Sequence, residues 1–190
     1  MSFLNITIIS KILSLILVFA FLPIILSICF LIILDDGFPI LFKQKRIGQN
    51  KNFFWIYKFR TMRNGVPNVA TELIKRGSFT FTKLGPFFRR TSLDELPQLF
   101  NIIKGDMSFI GPRPALYNQF DLIKLRESSG IHILKPGITG WAQINGRDTL
   151  SIQEKVKMDS FYLKNRSIKL NFQILALTFF KVLRSDDIIE

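Results

Sequence analysis

Residues 6–34 form an apolar run whose only charge is Lys11. It exceeds the roughly 20 residues that a helix needs to cross a hydrocarbon core, so this part of the chain is expected in lipid. The run is too long for a cleaved leader and has no small-residue cleavage pattern before Asp35, so the anchor is expected to persist. Pro23 lies near its middle. A proline removes a backbone donor and clashes with the preceding turn, which predicts a kink or a break there. Two arrangements satisfy this: a kinked helix that spans the bilayer, or a re-entrant hairpin that returns to the side it came from. Lys43, Lys45 and Arg46 follow directly and place the next segment on the cytoplasmic side. Lys11 points the N-terminal end the same way.

The chain has 190 residues, enough for one ordinary domain beside such an anchor. Residues 1–36 are read as the membrane-inserted part and 37–190 as one domain on the cytoplasmic face. A net charge of +12 predicts attraction to phosphates, nucleic acid or an acidic membrane surface, without choosing among them. Cys29, the single cysteine, lies inside the apolar run, which excludes an intrachain disulfide and a cysteine-based zinc cluster. His132 is the single histidine, so any Ser-His or Cys-His device would depend on it; nothing nucleophilic adjoins it in sequence, and a plain surface or core role is expected.

After the turn signal Asp35-Asp36-Gly37, residues 38–42 and 53–59 flank the polar loop 48–52 and predict a β-hairpin beside the membrane. Residues 63–78, with Gly65, Pro67 and Gly77, read as a weakly ordered surface segment. Leu93, Leu96, Leu99, Phe100 and Ile103 recur at helical spacing, predicting a helix that ends near Gly105. Another helix is expected over 151–163. Residues 170–183 are nearly all apolar yet too short to span, which suits an interfacial or core helix. The fold class is therefore α+β: a membrane helix, a hairpin and a small helical domain lying on the membrane face.

Three clusters carry possible chemistry. Ser92-Leu93-Asp94-Glu95 fits a capping box, with acidic groups at a positive helix end. The same carboxylate pair fits a site that holds Mg²⁺ and attacks phosphorus. In Gly111-Pro112-Arg113-Pro114 the two prolines fix the backbone around one arginine, which lowers the entropy lost when a guanidinium grips phosphate; a rigid surface loop is the plainer reading. In residues 136–147 the glycines allow tight turns, Gln143 and Asn145 can read a polar group, and Arg147 adds a cation. A simple hairpin explains the same pattern.

Taken together, Phe59-Arg60-Thr61-Met62, Ser92-Leu93-Asp94-Glu95-Leu96-Pro97-Gln98-Leu99, Lys104-Gly105-Asp106-Met107-Ser108, Gly111-Pro112-Arg113-Pro114 and residues 136–147 resemble, in order, the motifs of the bacterial sugar transferases, whose compact members are monotopic phosphoglycosyl transferases. The resemblance covers nearly the whole chain. It implies transfer of a sugar 1-phosphate from a UDP-sugar to undecaprenyl (polyprenyl) phosphate with release of UMP, an early membrane step of bacterial glycoconjugate synthesis. It implies Asp94 as the nucleophile that forms a covalent phosphosugar, with Mg²⁺ as cofactor bound at Asp94, and Glu95 as its positioning partner. Arg113 and Arg147 are implied phosphate or nucleotide ligands, with Lys58 and Asp159 as further substrate-binding candidates. Pro23, Pro112 and Pro114 take structural roles, and the family's broken re-entrant helix matches Pro23.

Three positions depart from the family pattern. Leu22 stands where Ser often precedes the helix-breaking proline, Ser10 replaces an Asp at the start of the membrane segment, and Asn171 replaces an Asp after the Tyr162 region. A serine could satisfy a carbonyl freed by the break and a leucine cannot. Two other classes compete: a non-catalytic membrane adaptor that uses its basic face on acidic lipid or a partner, and a nucleic-acid-binding module. The latter lacks any recognised motif, and its aromatics flank or enter apolar runs.

Overall fold

The computed structural model describes residues 3–64, 81–146 and 149–184. Eight α-helices and two two-stranded sheets make up these residues, an α+β architecture. The expected surface segment at 63–78 lies almost wholly outside them.

The apolar run forms two helices, α1 (Phe3–Ala20) and α2 (Leu22–Asp36). They bend by 62° at the break. Pro23 falls in the first turn of α2, where a missing N–H costs no hydrogen bond. The Phe21 N–H still reaches the Leu17 carbonyl at 2.9 Å, and the Ile25 N–H reaches the Phe21 carbonyl at 2.9 Å. No described helix is by itself long and apolar enough to cross a membrane; the bent pair meets that criterion together. One stripe of α1, with Ser14 fully buried and Leu17 and Val18 partly so, packs on the domain. Ile12, Ile16 and Phe19 face outward at 55, 57 and 67% exposure. The helix thus has two apolar faces, and protein covers only one.

Strand β1 (Leu41–Ile47) pairs antiparallel with β2 (Phe53–Phe59), Leu41 opposite Phe59 and Ile47 opposite Phe53. The hairpin and its 48–52 loop lie as expected, but the first strand does not. It begins after Pro39, which has no N–H to give a ladder, and runs through the basic residues Lys43 to Arg46. Long cationic stems tolerate a strand because they can lie along apolar surface; Lys45 Nζ sits 4.0 Å from the centre of the Phe53 ring.

Helix α3 (Gly85–Arg90) leads to a 3₁₀ turn at Leu93–Glu95 and then α4 (Gln98–Lys104). The single helix expected over 93–103 is thus divided, with Pro97 at the join. Gly105 closes α4 at φ 95°, a left-handed cap that glycine adopts without strain. Strand β3 (Ser108–Ile110), α5 (Phe120–Ser128), β4 (Gly137–Thr139), α6 (Trp141–Ile144), α7 (Ile152–Asn165) and α8 (Ile168–Arg184) complete the described chain. Strands β3 and β4 are parallel, Ser108 with Gly137 and Ile110 with Thr139, which replaces the simple hairpin reading of residues 136–147.

Three apolar clusters hold these elements. Ile28 and Ile32 of α2 meet Phe59 and Phe88, flanked by Leu93 and Leu96. Phe54, Ile56, Leu99, Ile102 and Met107 form the second, against Leu17 and Val18 of α1. Ile131, Leu134, Ile144, Tyr162, Leu170 and Ile174 form the third. Both halves of the broken helix therefore belong to the core. Helix α8 repeats the pattern of α1: Leu170 and Ile174 point in, while Ile168, Phe172 and Phe179 point out at 78, 74 and 62% exposure.

Candidate active site

The turn that carries Asp94 and Glu95 is set by its neighbours. Ser92 adopts the left-handed conformation at φ 56° and its side chain makes no cap. The capping-box reading of Ser92 and Glu95 is therefore wrong: a cap needs extended backbone at Ser92, and this backbone is folded the other way. Leu93 and Leu96 dock into the cluster around Phe59 and Phe88, which turns the two carboxylates toward β2. Both residues are 7% exposed.

Lys58, next to the end of β2, meets them. Its Nζ donates to Glu95 Oε1 at 2.7 Å and lies 3.4 Å from Asp94 Oδ2. Arg113 Nη1 stands 3.5 Å from the same Glu95 oxygen. Two cations thus balance two carboxylates that water scarcely reaches, where an unpaired charge would be costly. Asn101 fixes the strand to the helix that follows. Fully buried in α4, it donates from Nδ2 to the Trp55 carbonyl at 2.7 Å and accepts from the Tyr57 N–H at 3.1 Å. It completes the edge of β2 one residue from Lys58, so the height of Lys58 above Glu95 is set by hydrogen bonds and not by packing alone.

The segment bearing Arg113 is held at every step. Gly137 N–H donates to the Pro112 carbonyl at 3.0 Å, Arg126 Nη1 to Arg113 at 2.8 Å, Arg46 Nη1 to Pro114 at 2.9 Å, and Ile47 N–H to Ala115 at 2.9 Å. Four consecutive carbonyls are thereby anchored, adding to the restraint that Pro112 and Pro114 impose on φ. Close backbone crossing makes this possible. A Cβ on Gly111 would lie 2.2 Å from the Lys135 carbonyl oxygen, and one on Gly140 would lie 2.1 Å from that of Gly111, so both positions need glycine.

The structure brings Lys58, Asp94, Glu95 and Arg113 together and sets Asp159 apart. Asp159, 1% exposed on α7, accepts from Arg126 Nη2 at 2.7 Å and Nε at 3.0 Å. Burial pushes its carboxyl above the ordinary value, against the pull of Arg126. Arg126 links it to the Arg113 carbonyl. Arg147 lies outside the described residues.

Three residues that sequence reasoning passed over complete the frame: Arg126, Asn101 and Arg60. Arg60, 5% exposed, donates from Nη2 to the carbonyls of Asp36 and Gly37 at 2.9 and 2.7 Å. Its Nη1 lies 2.9 Å from Asp36 Oδ2, a charge contact off the line of a hydrogen bond. It clamps the end of α2 to the end of β2, and its place in the Phe59-Arg60-Thr61-Met62 motif was the available signal. At the Asn171 departure, Tyr162 Oη donates to Asn171 Oδ1 at 3.0 Å, so the change from Asp keeps an acceptor and loses a charge.

Among the described residues no three His, Cys, Asp or Glu side chains are placed to hold a metal. The two carboxylates of Asp94 and Glu95 fit an ion such as Mg²⁺, which takes one or two protein carboxylates and completes its shell with water and substrate phosphates.

The site is thus a buried carboxylate pair faced by Lys58 and an anchored Arg113, on a domain packed against a broken apolar helix. The chain belongs to the bacterial sugar transferase family, whose model matches residues 3–185. It is 44% identical over 82% of its length to the uncharacterized sugar transferase EpsL of Bacillus subtilis (strain 168), spanning 75% of that protein. It is 39% identical over 84% of its length to the UDP-glucose:undecaprenyl-phosphate glucose-1-phosphate transferase of Escherichia coli (strain K12). It is 35% identical over 80% to the undecaprenyl-phosphate galactose phosphotransferase of Salmonella typhimurium. It spans only 36 and 35% of those two longer proteins.

Proposed function

We propose that this protein transfers a sugar 1-phosphate from a UDP-sugar to undecaprenyl phosphate, in two steps that share one site. Asp94 attacks the phosphorus next to the sugar. A carboxylate oxygen–phosphorus bond forms as the bond to the bridging oxygen breaks, and UMP leaves with that electron pair. An oxygen of undecaprenyl phosphate then attacks the same phosphorus and releases Asp94 as carboxylate, giving a sugar joined to the lipid through a diphosphate. The observation that carries this reading is the placing of Asp94 and Glu95, both nearly buried, against Lys58 and Arg113.

A carboxylate approaches a diphosphate against repulsion, so positive charge has to be fixed at the site beforehand. Lys58 and Arg113 supply it. Arg113 can turn its outer nitrogens to phosphate oxygens because its backbone is already held. Lys58 keeps its closer contact with Glu95, which restrains that side chain beside Asp94 and leaves the nucleophile with the longer one. Asp94 and Glu95 would hold Mg²⁺, which when bound neutralises phosphate oxygens. The Escherichia coli and Salmonella relatives are named for sugar phosphate transfer on undecaprenyl phosphate, which supports the donor and acceptor classes.

The bent pair α1–α2 is read as a re-entrant element. Both halves pack on the same domain, whereas a spanning helix would carry one half away from it. The site then lies at the cytoplasmic face of the membrane, where a soluble nucleotide and a lipid phosphate meet. The test is to give the full chain a panel of UDP-sugars with Mg²⁺ and undecaprenyl phosphate and to measure UMP. One or a few sugars should release UMP together with lipid-linked product. No release from any of them would favour a membrane adaptor of the same fold.

A further inference from the structure

A cavity of about 270 Å³ opens beside the carboxylates, between the end of α1 and α8. Leu17, Phe21, Ile138, Thr178 and Val182 are among the residues that line it, with the charged groups of Glu95, Arg113 and Lys181. The geometry points to this cavity as the seat of the first isoprene units of the acceptor, the hydrocarbon directly behind its phosphate. The inference rests on the transfer reaction proposed above and adds where the lipid lies in it.

The chemistry of the walls selects hydrocarbon. The lining is mostly aliphatic and aromatic carbon. The hydroxyls of its two threonines are used within the protein: Thr139 and Thr178 share a hydrogen bond of 2.6 Å, and Thr178 donates to the Ile174 carbonyl at 2.7 Å. The amide nitrogen and oxygen of Gln143 are buried and have no hydrogen-bond partner within the protein. A sugar or a base placed here would lose its hydrogen bonds to water and find few in return. A prenyl chain has no hydrogen bonds to lose on entering and passes from lipid hydrocarbon to walls of matching polarity.

The charge sits where the acceptor needs it. Glu95 and Arg113 line the cavity together with Lys181, so a chain lying in it presents its phosphate to residues that face Asp94. The two helices that help line it have apolar free faces, with Phe19 on α1 and Phe179 on α8 at 67 and 62% exposure. The size sets how much of the chain fits: a cavity of roughly 150 Å³ accepts a benzene ring, so this one takes about ten carbons, or two isoprene units. The rest of the chain stays in lipid.

The two half-reactions separate the effect. Leu17→Trp and Val182→Trp fill the cavity from α1 and α8, and either suffices if the other fails to fold. Each is compared with the unaltered protein for labelled phosphosugar retained on the chain from UDP-sugar and Mg²⁺, and for discharge of that adduct to one-isoprene, two-isoprene and undecaprenyl monophosphates. The unaltered protein should discharge the two-isoprene acceptor at least tenfold faster than the one-isoprene acceptor at equal subsaturating concentration. In the tryptophan variants the adduct should form at the normal rate while discharge to the two longer acceptors falls at least tenfold. Discharge unchanged by both variants, adduct formation lost in step with discharge, or no chain-length preference in the unaltered protein, as for a cavity filled by structural phospholipid, would overturn the assignment. Failure of the unaltered protein to form any adduct strikes instead at the transfer reaction.

Discussion

Arg126 donates from Nη1 to the backbone carbonyl of Arg113 at 2.8 Å, and its Nε and Nη2 close on Asp159 at 3.0 and 2.7 Å. One guanidinium therefore ties a fully buried carboxylate on α7 to the loop that presents a cation to the carboxylate pair. Asp159 touches none of the facing groups, yet it orders one of them.

Asp159→Asn keeps the shape and removes the charge that holds Arg126. Breaking a buried pair of this kind costs about 3 kcal/mol, read as a lower denaturation midpoint. Activity should fall further than stability accounts for: KM for the UDP-sugar should rise at least fivefold at temperatures where the variant remains fully folded, because the Arg113 loop is no longer fixed. Arg126→Lys, which cannot serve Asp159 and the Arg113 carbonyl together, should share the KM defect. An unchanged KM in both would confine the pair to stability.

Asn101→Leu removes both hydrogen bonds to the edge of β2 and leaves the Tyr57 N–H and the Trp55 carbonyl buried without partners. The expected loss is about 2–3 kcal/mol, measurable by chemical denaturation. Turnover should also drop in the folded fraction, because Lys58 is the next residue of that strand.

Ser151 caps α7, accepting from the Glu154 N–H at 3.3 Å, while Glu154 Oε2 accepts from the Ser151 N–H at 2.8 Å and from its hydroxyl at 2.7 Å. Ser151→Ala should cost about 1 kcal/mol. The Ser151 hydroxyl and N–H hold the Glu154 carboxyl below its ordinary value. A depressed carboxyl stabilises the fold above its unfolded value and ceases to do so as pH falls through the folded one. Denaturation midpoints followed from neutral pH down past the ordinary glutamate range should therefore fall less steeply for Ser151→Ala than for the unaltered chain. Parallel slopes would show that the cap is not coupled to ionisation.

The contrast between Ser151 and Ser92 shows how far sequence reasoning reaches. Both open the pattern Ser-x-x-Glu, and only Ser151 caps. Its backbone is extended at φ −61°, ψ 164°, whereas Ser92 is left-handed and leads into a turn that Pro97 keeps separate from α4. The four-residue signature carries no record of that difference. Asp94, Glu95 and Arg113 could be singled out in the sequence because each lies in a short motif with its own local chemistry, whereas Lys58, just before the Phe59-Arg60-Thr61-Met62 motif, was a candidate through the family resemblance alone. The break at Pro23 was legible because proline acts on the backbone it belongs to. Arg126 and Asn101 were not, since their partners lie 13 to 46 residues away and no local pattern marks a side chain that completes another element's hydrogen bonds. Asp159 was a substrate-binding candidate through the resemblance, and the fold pairs it with Arg126, 33 residues away, behind the Arg113 loop.

The most direct measurement is the fate of the phosphosugar. The full chain is incubated with Mg²⁺ and a UDP-sugar labelled in the phosphate next to the sugar, without acceptor, then denatured and digested. The label should remain on a peptide containing Asp94, be released by hydroxylamine as expected of an acyl phosphate, and be absent from Asp94→Asn. Label that never attaches, while lipid-linked product still forms in both the unaltered chain and Asp94→Asn, would contradict the account.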